Sequence, residues 1–371
     1  MDLQELAHVV LLAGNDEEEV DIIASCGGYG TVVGNIHRDL MRKFCTPLCA
    51  PEALAIQVPA LDPKCGKSSV IVETHIILPS AWISTLASTK YLEYEYQAIF
   101  GLDQVSDFWS AHSEHGPKLR NHPARKKRNH TSLCVPLVLH GDGASFQHND
   151  SLMTLSFSGL LKEGDVASTN LIIASFPKSV SASGPRGTFA TIWSWLVWDL
   201  NQLFTGKYAK KDPFGNEFED GSEFATRAGT DILQDKRFFM VWGVMGDMDF
   251  YYNDLGLPHW RNEAPKTCCA WCKGDKVLNN WFDFRPTALW RKSQAADPSS
   301  DHIINQLIGW TPFHFSLDWL HVVDLGVAAH ALGNAIYDVC FKKLKHMQKN
   351  AAVNEIAAFI LGKNQLCMAV H

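Results

Sequence analysis

The apolar and polar positions fall into a clear rhythm in the middle of the chain. An apolar run from Leu133 to His140 is closed by Gly141-Asp142-Gly143. Two more runs follow, from Leu152 to Leu161 and from Asn170 to Phe176, each short and bounded by turn residues. This pattern predicts three strands joined by tight connections. From 189 to 204 the apolar residues recur at helical spacing. A polar excursion spans 206–235, and a fourth strand-like run leads from Arg237 to Val244 and ends at Gly246-Asp247. Upstream, Trp82, Ile83, Leu86, Tyr91, Leu92, Tyr94, Tyr96, Ile99 and Phe100 predict helix within 79–116, with a second short helix around Val105, Phe108 and Trp109. Residues 1–75 show no clear period, and Glu17 to Glu19 reads as a solvated acidic tip.

Five segments follow from this reading. They are an N-terminal region (1–116, helical over 79–116), a basic linker (117–130), a core (131–249), a Cys- and Trp-containing insertion (250–312), and a C-terminal helical part of the core (313–371) that opens near Leu317 and stops without a clear closing element. The linker carries Lys118, Arg120 and Arg125-Lys126-Lys127-Arg128, a pattern that suits a phosphate backbone, a nuclear import signal or a solvated tether.

Composition adds limits. With 46% hydrophobic and 20% charged residues, a chain of 371 residues buries a sizeable core. A formal charge of −7 argues against a chain-wide affinity for nucleic acid, so such contacts must be local. The acidic start Met1-Asp2-Leu3-Gln4-Glu5 is not a secretory leader, which predicts an intracellular, reducing setting for the ten cysteines. No apolar run reaches the roughly eighteen residues of a membrane span; the Trp-rich 189–204 stretch carries Asp199, Asn201 and Gln202 and reads as a buried helix. Cys65-Gly66-Lys67-Ser68 lacks the first glycine of a phosphate loop, since position 61 is Leu61.

The candidate chemistry begins with two acids. Asp142 follows the first core strand and Asp247 the fourth, with Asp249 two residues on. Three antiparallel strands, a helix and a parallel return strand form a mixed sheet in which the fourth strand lies beside the first. Asp142 and Asp247 would then be neighbours despite about a hundred intervening residues, an order that suggests a ribonuclease-H-like nucleotidyl-transfer core. Adjacent carboxylates repel unless a cation lies between them, and hard divalent cations such as Mg²⁺ or Mn²⁺ prefer oxygen ligands. The plain alternative is that each acid only shapes a turn. A second candidate is the Cys-x-x-Cys of Cys269 and Cys272, a spacing that suits half of a tetrahedral Zn²⁺ site. His314 and His321 are the available partners, with His259 in reserve; a redox pair or buried thiols are the other readings.

Three stretches carry a family resemblance. They are Val135 to Asp142; Gly246-Asp247-Met248-Asp249-Phe250-Tyr251-Tyr252-Asn253-Asp254-Leu255 leading to Cys269-Ala270-Trp271-Cys272; and Asp318-Trp319-Leu320-His321-Val322-Val323-Asp324-Leu325-Gly326-Val327 running on to His330. Over roughly 80–335 the chain resembles eukaryotic cut-and-paste transposases with an Asp-Asp-Glu site, of the CACTA and Plavaka-like group. The resemblance implies an α/β ribonuclease-H-like mixed sheet flanked by helices, with a zinc-binding Cys/His insertion. It implies metal-dependent cleavage and strand transfer at DNA phosphodiesters, in the nucleus, on transposon ends, with a homo-oligomer as the working form and no small-molecule cofactor. Asp142 and Asp247 would bind Mg²⁺ or Mn²⁺, with Asp249 competing for the second role. Cys269, Cys272 and His321 would bind Zn²⁺, with His314 as the fourth ligand. The family's third acid is a glutamate beyond the histidine motif. Glu355 is the one glutamate after His321, unless the true one falls past His371. Two other functions fit the same residues: a domesticated or decayed transposase that only binds DNA or protein, and an unrelated metal-dependent phosphoesterase built on Asp142, His140 and His148.

Overall fold

The computed structural model describes residues 51–317 apart from 63–67, 90–91, 113–115, 117, 120, 148–149, 165, 185, 248, 259–266, 270–271, 284 and 293–300, together with Ala331 and Asn334. Expectations for His148, His259, His321 and Glu355, and for most of the C-terminal helical region, lie outside the described residues.

The chain is a mixed α/β protein built on a five-stranded sheet. Its strands are β3 (Cys134–Gln147), β4 (Asp150–Gly159), β5 (Leu171–Pro177), β6 (Phe238–Gly246) and β7 (Phe315–Leu317), ordered β5-β4-β3-β6-β7. The first three are antiparallel, whereas β6 runs parallel to β3 and β7 parallel to β6. Ahead of the sheet come a separate hairpin, β1 (Leu54–Leu61) with β2 (Ser69–Ile76), then the helices α1 (Pro79–Ser88), α2 (Glu93–Phe100) and α3 (Val105–Ala111) and a single helical turn, His130–Leu133. The long helix α4 (Thr188–Thr205) makes the crossover from β5 toward β6 and stops at Gly206, whose φ of 80° needs no side chain in the way.

Alternation along the strands explains the packing. In β5, Leu171, Ile173 and Phe176 are buried while Ile172 and Ser175 are exposed. Phe176 meets Phe189 of α4, and its register partner is Met153 of β4. Farther along the same face of β4, Phe157 packs on Phe100 of α2, which also touches Phe239 of β6. Helices α2 and α4 therefore cover one face, over Leu137, Leu139, Met153, Leu155 and Phe157, each 2% exposed or less. Val138, His140 and Asp142 alternate onto the other face, beside their partners Ser158, Ser156 and Thr154.

Helix α4 is tied to α1 by a buried polar contact. Asp199 is fully buried and accepts from the Ser80 backbone N–H at 2.8 Å and from the Ser80 hydroxyl. It caps the first turn of α1, where a carboxylate is favoured by the unpaired N–H groups. Burial nevertheless pushes its pKa up to about 6, against the lowering effects of Ser80 and Arg227.

Several expectations need correction. The first core strand does not end before Asp142; β3 continues to Gln147, because β4 offers a continuous ladder in which Gly141, Asp142 and Gly143 pair with Leu155, Thr154 and Met153. The 117–130 segment is not a free tether. Leu119, His122 and Ala124 are buried, Lys118 donates to the Trp242 carbonyl at 2.9 Å, and Lys127 donates to the Phe204 carbonyl with its ammonium 3.9 Å from the Phe238 ring centre. Burial lowers both lysine pKa values, and Lys126 and Arg128 remain exposed. Residues 315–317 form the fifth strand, where helix was expected to open. The hairpin β1–β2 was not foreseen in the unreadable N-terminal stretch. Among the described residues, no helix is long and apolar enough to cross a membrane.

Candidate functional site

The parallel pairing of β3 with β6 brings the two candidate acids to one end of the sheet. The last paired residues are Gly141 and Gly246, so Asp142 and Asp247 each follow directly, on strands whose usual spacing is about 4.8 Å. Both glycines are required by what lies beneath them. A Cβ at Gly141 would stand 2.1 Å from the Phe250 ring, and one at Gly246 2.3 Å from it. Phe250, with no exposure, is the wedge that seats the chain after β6.

Beyond Gly246 the chain turns through a π-helical turn, Phe250–Asp254. The Asp247 carboxylate accepts the Phe250 N–H at 2.6 Å, and the Asp247 carbonyl accepts the Tyr251 N–H at 3.2 Å. Tyr251 then donates to the carbonyls of Val244 (2.9 Å) and Ser316, tying the turn to β6 and β7. Asp247 is therefore a cap as well as a candidate ligand. Asp142 is half-buried, and its Oδ1 accepts the Gly143 N–H at 2.8 Å. Each acid thus has one oxygen held by a backbone N–H.

Asp249 differs from both. It is 55% exposed, pairs with Lys178 Nζ at 3.1 Å, and accepts from the Asn253 amide at 2.6 Å. Lys178 reaches it from the turn after β5, and its Nζ lies 2.9 Å from where a Cβ on Gly143 would stand. The sequence reading gave no role to Lys178 or to Asp254. Asp254 is largely buried and its Oδ2 has no partner among the described residues. Its pKa is pushed up to about 6, chiefly by burial, with Lys178 lowering it and Asp249 and Asp247 raising it. The signal for Asp254 was its membership of the Gly246–Leu255 stretch; for Lys178, a lone lysine after a strand, there was none. A cleft of about 700 Å³ opens beside these groups, with Lys178, Asp249, Asp254, His302 and Phe189 in its wall.

The second cluster is smaller. Cys269 and Cys272 are hydrogen-bonded to each other, which helps burial raise the Cys272 pKa to about 11. Cys272 Sγ accepts the Gly274 N–H at 3.3 Å, a contact that favours a thiolate, and the Cys268 N–H closes the loop on the Gly274 carbonyl at 2.9 Å. His314 does not join them. Its ring is fully buried, stacked on Trp310 with centroids 5.1 Å apart and 6.1 Å from His122, where the apolar shelf around β7 receives it. Its Nδ1 takes the Thr311 N–H at 3.1 Å, its Nε2 has no partner among the described residues, and burial lowers its pKa to about 4.

Among the described residues, no three His, Cys, Asp or Glu side chains converge as a metal-ligand group. His140 lies on β3 with Asp142, paired in register with Ser156 and Met245. Comparison with protein-family models, with curated proteins and with solved structures gives no match for this chain.

Proposed function

We propose that the chain is a transposase-type protein with a ribonuclease-H-like core, acting on DNA phosphodiesters in the nucleus with divalent metal, and working on transposon ends as a homo-oligomer. The observation that carries this reading is topological. Three antiparallel strands, one crossover helix and a fourth strand parallel to the first put Asp142 and Asp247 one residue past the same register pair, Gly141 and Gly246. An arrangement in which the acids only shape local backbone has no need to set both of them one residue past the point where two parallel strands part.

The donor chemistry fits a hard cation. Both groups are carboxylates, each with one oxygen steadied by a backbone N–H, and the cleft beside Asp249 has room for a nucleotide. Mg²⁺ or Mn²⁺ held by Asp142 and Asp247 would supply activation of the attacking water or 3′-hydroxyl and offset charge on the phosphate. The protein's own part is positional: Phe250 fixes the Asp247 turn under the two glycines, and Tyr251 locks that turn to β6 and β7. A third carboxylate is still needed, and Glu355 is the proposed source. Cys269 and Cys272 are proposed as half of a Zn²⁺ site, with His321 as a further ligand; His314 is left out of that set because it does not gather with the two cysteines into a ligand group among the described residues.

The test is nicking of supercoiled plasmid and cleavage of short duplex DNA by the full chain with Mg²⁺ or Mn²⁺, compared with Asp142→Asn and Asp247→Asn. Metal-dependent cleavage that both variants abolish supports the reading; cleavage unchanged in both removes it. A binding-only transposase relative is the second reading. It is favoured by the way Asp247 is satisfied as a cap and Asp249 by Lys178, with no cation required. DNA retention without cleavage in any divalent metal, unaltered in Asp142→Asn, would select it.

A further inference from the structure

We infer that Lys178 is a resident counter-ion of the acid site, holding Asp249 until divalent metal enters and thereby setting the metal concentration the site requires. The inference rests on the proposed metal role of Asp142 and Asp247. Two chain segments far apart in sequence, one at Gly143 and one at Asp249 to Asp254, converge on this one ammonium. Its Nζ is 3.1 Å from Asp249 Oδ2. It lies against the backbone of Gly143, the residue after Asp142, in space that any side chain at 143 would contest. Its charge also acts on Asp254, the same carboxyl that feels Asp247 and Asp249. A short ion pair between a lysine and one member of a carboxylate group is what keeps such a group from repelling itself apart when no metal is bound.

The pair is built to open. Lys178 is 32% and Asp249 55% exposed on their side chains, so the contact is screened, and the cleft gives the ammonium somewhere to go. A divalent ion at the neighbouring Asp142 and Asp247 carries twice the charge of the ammonium and repels it, so metal entry and the Lys178–Asp249 pair oppose each other. The freed ammonium, still tethered beside Asp249, is then available to a phosphate oxygen as a point charge. Lys178 is on this account a positioning residue for the proposed reaction.

Metal binding separates the possibilities without reference to activity. Mn²⁺ is titrated into the full chain at low salt, and free Mn²⁺ is followed by its electron paramagnetic resonance signal. Removal of one partly exposed like charge should make Lys178→Met bind roughly three- to tenfold more tightly than wild type, a gain that shrinks with added salt. Lys178→Arg, which keeps the charge, should stay within about twofold of wild type by the same reasoning. Lys178→Gln serves as a second neutral variant, and thermal melting establishes that each is folded. Equal affinity in the neutral variants and wild type, with Asp247→Asn still abolishing binding, overturns the role of Lys178 and leaves the metal reading standing. Binding that survives both Asp142→Asn and Asp247→Asn, or no binding in wild type and Lys178→Met alike, removes the metal reading and this inference with it.

Discussion

Gly141→Ala tests whether the acid pair is set by the wedge beneath it. A methyl group at 141 would stand 2.1 Å from Phe250 Cε2 and 2.4 Å from Cζ, whereas carbon atoms at rest keep about 3.5–4.0 Å apart. The ring would have to retreat by about 1.5 Å, and Phe250 is fully enclosed, so nothing adjacent gives way freely. Overpacking of this kind costs about 1–3 kcal/mol, and a contact this short points to the upper end. Urea unfolding of Gly141→Ala should therefore show a loss of about 2–3 kcal/mol. In a thermal scan this is a fall of roughly 4–12 °C, at about 2–4 °C per kcal/mol for a unit of this size. Phe250→Leu alone should cost about 1–2 kcal/mol through lost volume, but it makes room for the methyl group. The double variant should thus be less destabilised than the sum of the two, by about 1 kcal/mol or more. Gly143→Ala is the control: its Cβ would meet only the far end of Lys178, which swings aside, so stability should stay within about 0.5 kcal/mol. A Gly141→Ala protein as stable as wild type, or strictly additive effects with Phe250→Leu, would refute the wedge.

Four further outcomes follow from the same geometry. Asp247→Ala should lose about 1 kcal/mol through the missing cap on Phe250, while Asp247→Asn keeps the acceptor and should lose little, although both abolish metal-dependent cleavage; urea titration separates cap from ligand. Tyr251→Phe should cost about 1–2 kcal/mol and speed hydrogen exchange in β7, because the hydroxyl reinforces the short β6–β7 ladder by donating to the Val244 and Ser316 carbonyls. Asp199 has its folded pKa raised to about 6 from 3.8, so its contribution to stability is fully present below pH 3.8 and fades as pH rises through about 6. Over that window wild type should lose roughly 2–3 kcal/mol relative to its acidic-side stability, and Asp199→Asn should flatten that part of the curve. Metal analysis of protein purified without chelator should find one Zn²⁺ per chain if Cys269 and Cys272 are ligands, and none in Cys272→Ser; Zn²⁺ absent from both would assign the pair to thiol chemistry.

The parts of this molecule that were legible in its sequence are those where one physical signal dominates. Leu171–Pro177 and Phe238–Gly246 are apolar runs bounded by turn residues, and α4 has both a helical apolar period and a closing glycine, so each was read to within a residue or two. β3 was cut short because Gly141-Asp142-Gly143 carries a local turn signal that the ladder with β4 overrides; those glycines serve a ring contact and a lysine, which no local pattern reports. β7 has three residues and is held by parallel pairing with β6 and by Tyr251, so its cause lies some sixty-five positions upstream. The tether reading of the basic segment failed for a related reason. Lysine is taken as a surface residue, yet Lys118 and Lys127 set their ammonium groups over Trp242 and over the Phe204 and Phe238 rings and donate to backbone carbonyls.

The same distinction orders the candidate site. Asp142 and Asp247 stood out because each closes an apolar run, which is a one-dimensional fact; the register that sets Gly141 opposite Gly246, with its shift between Leu137 and Val138, is not. Lys178 and Asp254 were not, because their meaning is a matter of charge at close range. An ammonium acquires a role only when Asp249 is 3.1 Å away, and a carboxyl has its pKa pushed up to about 6 only when burial and two other acids act on it. It follows that the acid pair can be altered in two separable ways. On the proposed metal reading, changes at 142 and 247 remove ligands and should act on metal binding outright. Changes at 178 alter only the field those ligands feel and should act by degree and in proportion to salt. A site whose acids serve turns alone has no reason to respond to the second kind of change at all.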